Sequence, residues 1–105
     1  MLIQINTDDN VNNSDARADS LEAAIRNTLE RFASQVTRVE VHLSDENGDK
    51  KSGSADIRCM LEARLAGLQP VAVTDSAATV AQAVDGAARK MRSSLDSILG
   101  RRDKR

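Results

Sequence analysis

The fold is decided by the stretch Arg38-Val39-Glu40-Val41-His42-Leu43-Ser44, in which the odd positions are aliphatic and the even positions are polar. A period of two is typical of a β-strand that buries one face and exposes the other. The same alternation returns between Asp56 and Leu65, where the odd residues are apolar and the even residues are mainly charged. The two stretches therefore predict neighbouring, half-buried antiparallel strands.

Shorter segments before and after this pair predict two further strands. Residues 1–6 alternate around Leu2, Ile3 and Ile5, which suits a short first strand. A turn at residues 66–70 then leads into a short fourth strand, Val71-Ala72-Val73-Thr74. The connection over residues 45–53 is rich in Asp, Asn and Gly, which are typical of turns.

A first helix is predicted between the first two strands, from about residue 15 to residue 34. Ser14 or Asp15 is the expected N-cap, because a short polar side chain accepts a hydrogen bond from the first free backbone N–H groups. Apolar residues at near-helical spacing predict one buried stripe on this helix. The stripe consists of Leu21, Ile25, Leu29, Phe32 and Val36.

A second helix is predicted after the fourth strand, with Asp75 or Ser76 as its N-cap and Gly100 as its C-terminal stop. Gly86 lies inside this helix and weakens it, which indicates close packing at that point. The apolar stripe of the helix consists of Val80, Ala83, Val84, Ala87, Ala88, Met91, Leu95 and Ile98.

The resulting element order is strand, helix, three strands, helix. We therefore expect an α+β fold, β-α-β-β-β-α, with a four-stranded sheet and both helices packed on one face. The other face of the sheet is expected to be open to solvent. Residues 1–105 are expected to form one domain, with a basic tail at about residues 100–105.

The composition argues against most kinds of chemistry. Phe32 is the only aromatic residue, which excludes RNA reading on several aromatic stacking platforms. Cys59 is the only cysteine and is predicted to face the core, and His42 is predicted to lie on the exposed sheet face without a nucleophile. The acidic residues around Gly48 lack the full ladder of calcium ligands. We therefore expect no catalytic residues, no enzyme activity, no metal site, no cofactor and no small-molecule substrate.

The sequence predicts neither a signal peptide nor a membrane-spanning segment. The N-terminus has no basic segment followed by a long apolar stretch, so no signal peptide is predicted. The sequence contains no run of about 18 apolar residues, so no transmembrane helix and no membrane partner are expected. The expected compartment is the cytoplasm.

The charge is unevenly distributed along the chain. The net charge is −1, but residues 1–56 carry six basic and eleven acidic residues, whereas residues 57–105 carry nine and five. Residues 89–105 carry seven basic and two acidic residues. Such an end either creates a local positive field or is a solvated helix end that aids solubility.

If the helices lie side by side, basic residues from both would flank one surface and contact backbone phosphates with little sequence preference. The candidates are Arg26 and Arg31 on the first helix, Arg89, Lys90 and Arg92 on the second, and Arg101 and Arg102 in the tail.

Three stretches resemble a known family: residues 38–48, residues 58–64, and the helix Ala83-Val84-Asp85 with Lys90-Met91 and Leu95. Together with the element order, they resemble the short ribosome hibernation-promoting factors and the related ribosome-associated inhibitor proteins, over essentially the whole chain. The chain differs from the family where it has Ala81 in place of a common tyrosine, and Ser93-Ser94 in place of Arg-Gln.

The resemblance implies a domain similar to a double-stranded-RNA-binding fold. It also implies binding to the small ribosomal subunit and its rRNA, and a block of translation in stationary phase or stress. Lys90 matches the family's helix lysine and would touch rRNA phosphates, supported by Arg89, Arg92, Arg101 and Arg102. The chain ends without the dimerising C-terminal domain of the long factors, so it is not expected to pair ribosomes through such a domain. We expect a monomer or weak dimer.

An alternative function is a protein-interaction module on the same scaffold, with lost or weakened ribosome binding. This module would use the acidic first half or the open sheet face. The two hypotheses differ in whether Arg26, Arg31, Lys90, Arg92 and Arg101 form one contiguous positive patch, or whether acids such as Glu30 and Asp96 interrupt it.

Overall fold

The computed structural model describes residues 1–7, 18–45 and 57–103, with side chains for residues 1–7, 19–45 and 57–100. The predicted loop after the first strand, the N-cap at Ser14 or Asp15, and most of the 45–53 connection lie outside these ranges. The described elements follow the predicted order. They are β1 (Leu2–Thr7), α1 (Ala18–Thr28), a turn of 3-10 helix (Glu30–Phe32), β2 (Val36–Asp45), β3 (Ile57–Leu65), β4 (Val71–Ala77) and α2 (Val80–Asp103).

The four strands form one mixed sheet in the order β1-β2-β3-β4. β1 runs parallel to β2, with Ile5 opposite Val41, because α1 carries the chain back to the same end of the sheet. β2, β3 and β4 are antiparallel, with Leu61 opposite both Val41 and Val73. The α+β architecture predicted from the sequence is confirmed.

A β-bulge at the start of β2 explains why Val36 does not belong to α1. The register with β3 shifts between Val36 and Arg38, and the Thr37 hydroxyl donates to the Arg64 carbonyl at 3.1 Å. The extra residue turns Val36 to the same face as Val39, and both are buried. The prediction of Val36 as a helical residue was therefore wrong, and α1 ends at Thr28 rather than near residue 34.

The core lies between one face of the sheet and both helices. Val39, Val41 and Leu43 of β2 and the odd residues of β3 are buried. The residues most deeply packed against them include Ile25 and Leu29, together with Met91 and Leu95 of α2. The polar even residues of the strands remain on the opposite, uncovered face. Phe32 is the single aromatic side chain in this aliphatic core.

The two ends of α2 differ from the prediction. Asp75 and Ser76 belong to β4, which pairs with β3 as far as Ala77 opposite Ile57. Thr79 caps the helix instead, since its hydroxyl accepts a hydrogen bond from the Gln82 N–H at 3.1 Å. At the other end, the helix continues through Gly100 to Asp103, so Gly100 is not a stop.

Because Leu61 is fully buried in this core, we expect its truncation to destabilise the fold. Leu61→Ala is expected to lower the free energy of unfolding by about 2–5 kcal/mol, because it leaves a cavity under the helices. Leu2→Ala is the matched control, since the side chain of Leu2 is 61% exposed and its loss is expected to cost less than about 0.5 kcal/mol. Urea unfolding of both variants makes the comparison, and equal losses would contradict the one-sided core.

Candidate functional site

The outward side of α2 carries Arg89 and Arg92, whereas Lys90 lies on a different side of the same helix. Because successive residues of an α-helix are rotated by about 100°, Lys90 and Arg92 point about 200° apart. Arg89 forms an ion pair with Asp85 one turn earlier, at 2.7 Å. The basic residues of α2 are therefore divided between two surfaces.

Arg31 and Arg92 come together in a shallow depression between α1 and α2. Asn27 and Thr28 complete this depression with the acidic side chain of Glu30. The Arg31 guanidinium is ion-paired with Asp96 of α2 and lies 5.1 Å from the centre of the Phe32 ring. We call this the interhelical depression. It holds two of the predicted phosphate-binding residues together with two acidic neighbours.

Arg26 is engaged elsewhere on α1. Its guanidinium pairs with Glu22 at 2.8 Å and donates to the Met1 carbonyl oxygen at 3.1 Å. These contacts connect α1 to the start of β1. Arg101 and Arg102 lie in the last turn of α2, and their side chains are outside the described part of the chain.

Lys90 lies against the edge strand β4. Its ammonium group is 3.2 Å from Asp75 Oδ1 and donates to the Thr74 carbonyl oxygen at 2.8 Å. Gly86, one turn before Lys90, leaves room for Asp75, because a Cβ at this position would lie 1.7 Å from Asp75 Oδ2. The close packing predicted for Gly86 is therefore confirmed, and its partner is a carboxylate.

Asp75 also faces the only cysteine of the chain, since Cys59 is its register partner on β3. Burial, and secondarily the negative charge of Asp75, raise the pKa of the Cys59 thiol to about 12. The thiol is thus neutral at physiological pH and a poor nucleophile, which agrees with the predicted packing role.

The uncovered sheet face, which the sequence suggested as one surface for a protein-interaction module, carries mixed charges. Glu40 lies 3.0 Å from Arg38 and 3.5 Å from His42. A cavity of about 360 Å³ opens beside this group, lined in part by His42, Arg58 and Met60. The alternation of the strands was enough to place these residues on one face, but opposite charges in neighbouring rows give the face no dominant sign.

The predicted candidates are thus brought together only in part. Arg31 and Arg92 share the interhelical depression, while Arg26 and Lys90 have partners at opposite edges of the sheet, β1 and β4. Acidic residues interrupt the expected patch, as Asp96 does at Arg31. Among the described residues, no helix is long and apolar enough to cross a bilayer.

The sequence of the chain matches the family of the sigma 54 modulation protein and the S30EA ribosomal protein over residues 3–103. The chain belongs to this family. The match confirms the family resemblance seen in the sequence. No curated protein sequence matches the chain.

Two solved structures share the fold of this S30EA-family chain. The N-terminal domain of Protein Y from Thermus thermophilus has a TM-score of 0.70 and 21% sequence identity, and the alignment covers 93% of this chain and 99% of that domain. A ribosomal subunit interface protein from Coxiella burnetii has a TM-score of 0.68 and 13% identity, with coverage of 95% and 99%. At these identities the similarity establishes the fold.

The contact between Gly86 and Asp75 predicts that an added methyl group has opposite effects on stability at two glycines of α2. Gly86→Ala is expected to destabilise the S30EA-family chain by about 1–3 kcal/mol, because the added methyl group collides with the carboxylate. Gly100→Ala is the control in the same helix, with open space around it, and is expected to stabilise by up to about 1 kcal/mol.

Thermal unfolding of both variants measures the difference. In an Asp75→Ala background the Gly86→Ala change is expected to become stabilising, because its obstacle is gone. A stabilising effect of Gly86→Ala in the wild-type chain would contradict the contact.

Proposed function

We propose that this chain is a translation regulator of the hibernation-factor type, which binds the small ribosomal subunit through rRNA phosphates. It acts in the cytoplasm as a monomer or weak dimer and blocks translation in stationary phase or under stress. The observation that carries the proposal is the family match over residues 3–103, which includes both helices and every described strand except the first residue of β1. The ribosomal subunit interface protein of the same fold adds support.

The side of α2 that carries Arg89 and Arg92 is the proposed phosphate-binding surface, and Arg101 and Arg102 are proposed as further contacts from the last turn of the helix. Arg92 is central, because no ion pair is formed by its guanidinium with any carboxylate of the described residues. An arginine in this state can donate two parallel hydrogen bonds to a phosphate without giving up a partner. Arg31, in the same interhelical depression, is the second proposed contact from this side.

The ion pairs of the other basic residues lower their attraction for phosphate but do not prevent binding. Exposed pairs such as Arg89–Asp85 and Arg31–Asp96 contribute about 0–1 kcal/mol each, so a polyanion with many charges can compete with them. We therefore expect weaker binding, with a smaller salt slope, than the number of basic residues suggests.

The same ion pairs favour the second candidate function, a protein-interaction module. Four of the predicted phosphate-binding residues, namely Arg26, Arg31, Arg89 and Lys90, are each paired with a carboxylate. A mixed-charge surface of this kind suits a protein partner that presents both signs of charge. The two functions are separated by whether the chain binds small ribosomal subunits at low salt.

Co-sedimentation with purified small subunits over a series of salt concentrations tests the proposal. Wild-type protein is expected to pellet at low salt and to dissociate as salt rises. Arg92→Glu is expected to weaken binding about tenfold, as for loss of one charge-assisted hydrogen bond, and to reduce the salt slope by about 1.

Arg64→Glu is the matched control, since Arg64 is an exposed arginine on the uncovered sheet face. It carries the same charge reversal and is expected to bind like wild type. If Arg64→Glu weakened binding and Arg92→Glu did not, the binding surface would be the sheet. Wild-type protein that stays in the supernatant at low salt would refute the ribosome hypothesis in favour of the interaction module.

A further inference from the structure

The ammonium group of Lys90 is held at the junction of β4 and α2 by two acceptors. Asp75 Oδ1 lies 3.2 Å from Nζ, and the Thr74 carbonyl oxygen lies 2.8 Å from it. A lysine ammonium has three N–H donors, so these contacts leave one donor for an external ligand. An anion that approaches Lys90 therefore meets a group whose charge is already shared with a neighbouring carboxylate.

Asp75 is expected to hold Lys90 more strongly than the other carboxylates hold the basic residues with which they pair. Its side chain is 27% exposed, against 42–49% for Glu22, Asp96 and Asp85. A less exposed carboxylate is less screened by water and salt. It also loses more when its cation leaves, because it remains partly buried without a counter-charge.

The backbone keeps Asp75 in this position. The residue lies within β4, where it is paired with Cys59, and its carboxylate occupies the space that the absent side chain of Gly86 provides. To follow Lys90 outward toward a ligand, the carboxylate would have to leave this space beside Gly86. Lys90 must therefore either bind the ligand with its remaining donor or give up Asp75.

We infer that Asp75 sets the affinity of Lys90 for phosphate by retaining its ammonium group in an intramolecular ion pair. This inference rests on the proposed phosphate-binding function and adds a residue that opposes it. In the wild-type chain Lys90 contributes little to phosphate binding, and removal of the Asp75 charge makes it a full contact. Asp75 is thus a residue that limits the affinity of the surface without touching the RNA.

The test without ribosomes is the acylation of lysines by an amine-reactive ester, followed by mass spectrometry. Lys50, Lys51 and Lys104 serve as internal standards in the same chain. Asp75→Asn, which keeps the shape of the side chain, is expected to raise the labelling of Lys90 several-fold relative to these standards. The concentration of inorganic polyphosphate that protects half of Lys90 is expected to fall several-fold.

Glu62→Gln is the matched control, because it removes one carboxylate on the uncovered sheet face, away from Lys90 and from the proposed phosphate-binding surface. It is expected to leave both the labelling and the polyphosphate protection of Lys90 unchanged. Circular dichroism and thermal unfolding confirm that each variant is folded. Unchanged protection of Lys90 in Asp75→Asn, or weaker protection, would overturn the inference.

Small-subunit binding supplies the second readout through a double-mutant cycle. Asp75→Asn is expected to bind several-fold more tightly, with a salt slope steeper by about 1. Lys90→Gln is expected to have little effect in the wild-type chain and to cancel most of the gain in the Asp75→Asn chain. Independent, additive effects would overturn the inference.

The two readouts distinguish the inference from the proposed function. If no variant binds small subunits but polyphosphate protects Lys90 better in Asp75→Asn, the ribosome proposal fails and the role of Asp75 stands. If subunits bind and the Asp75→Asn variant gains nothing, the role of Asp75 fails and the ribosome proposal stands.

Discussion

The other features of the structure depend on one constraint, which is that the helices cover only one face of the sheet. Both helices lie against the face formed by residues such as Val41 and Leu61, so every strand must alternate between apolar and polar residues. The core is almost entirely aliphatic, and α2 packs on it through small residues as well as Met91 and Leu95. These small residues let the helix approach the sheet closely, and Gly86 continues the same pattern at the edge, where the approaching group is Asp75.

Much of this arrangement could be predicted from the sequence because a period of two in β2 and β3 leaves few alternatives. The prediction failed where two patterns overlap. Val36 follows Phe32 by four residues, which suits a helical stripe, and a bulge at Thr37 is not visible in a single sequence. Asp75 is a good helix cap by residue type, but pairing with β3 extends β4 past it. At both positions, pairing with β3 overrode the local preference of the residue for a helix or a helix cap.

The candidate site was harder to predict because its electrostatics depend on residues far apart in the chain. Asp96 lies 65 positions from Arg31, and the fold alone brings them into an ion pair. Lys90 and Arg92 are two positions apart, yet the helix directs them to different surfaces. The sequence identified the basic residues and named Glu30 and Asp96 as acids that could interrupt them, but it did not show which acid pairs with which base. The net charge of −1 does not show which charges are paired. Among the described residues, Arg92 has no carboxylate partner.

An ion-paired surface is consistent with a moderate affinity for the proposed ribosomal partner. Phosphates compete with carboxylates of the protein itself, so the affinity and its salt slope rise when one of these carboxylates is removed. The most direct test of this account is an electron cryomicroscopy structure of the chain bound to small subunits at low salt. The account predicts that the Arg92 side of α2 lies within hydrogen-bond distance of rRNA phosphates. A complex in which the uncovered sheet face meets the RNA, or in which α2 contacts only ribosomal protein, would contradict it.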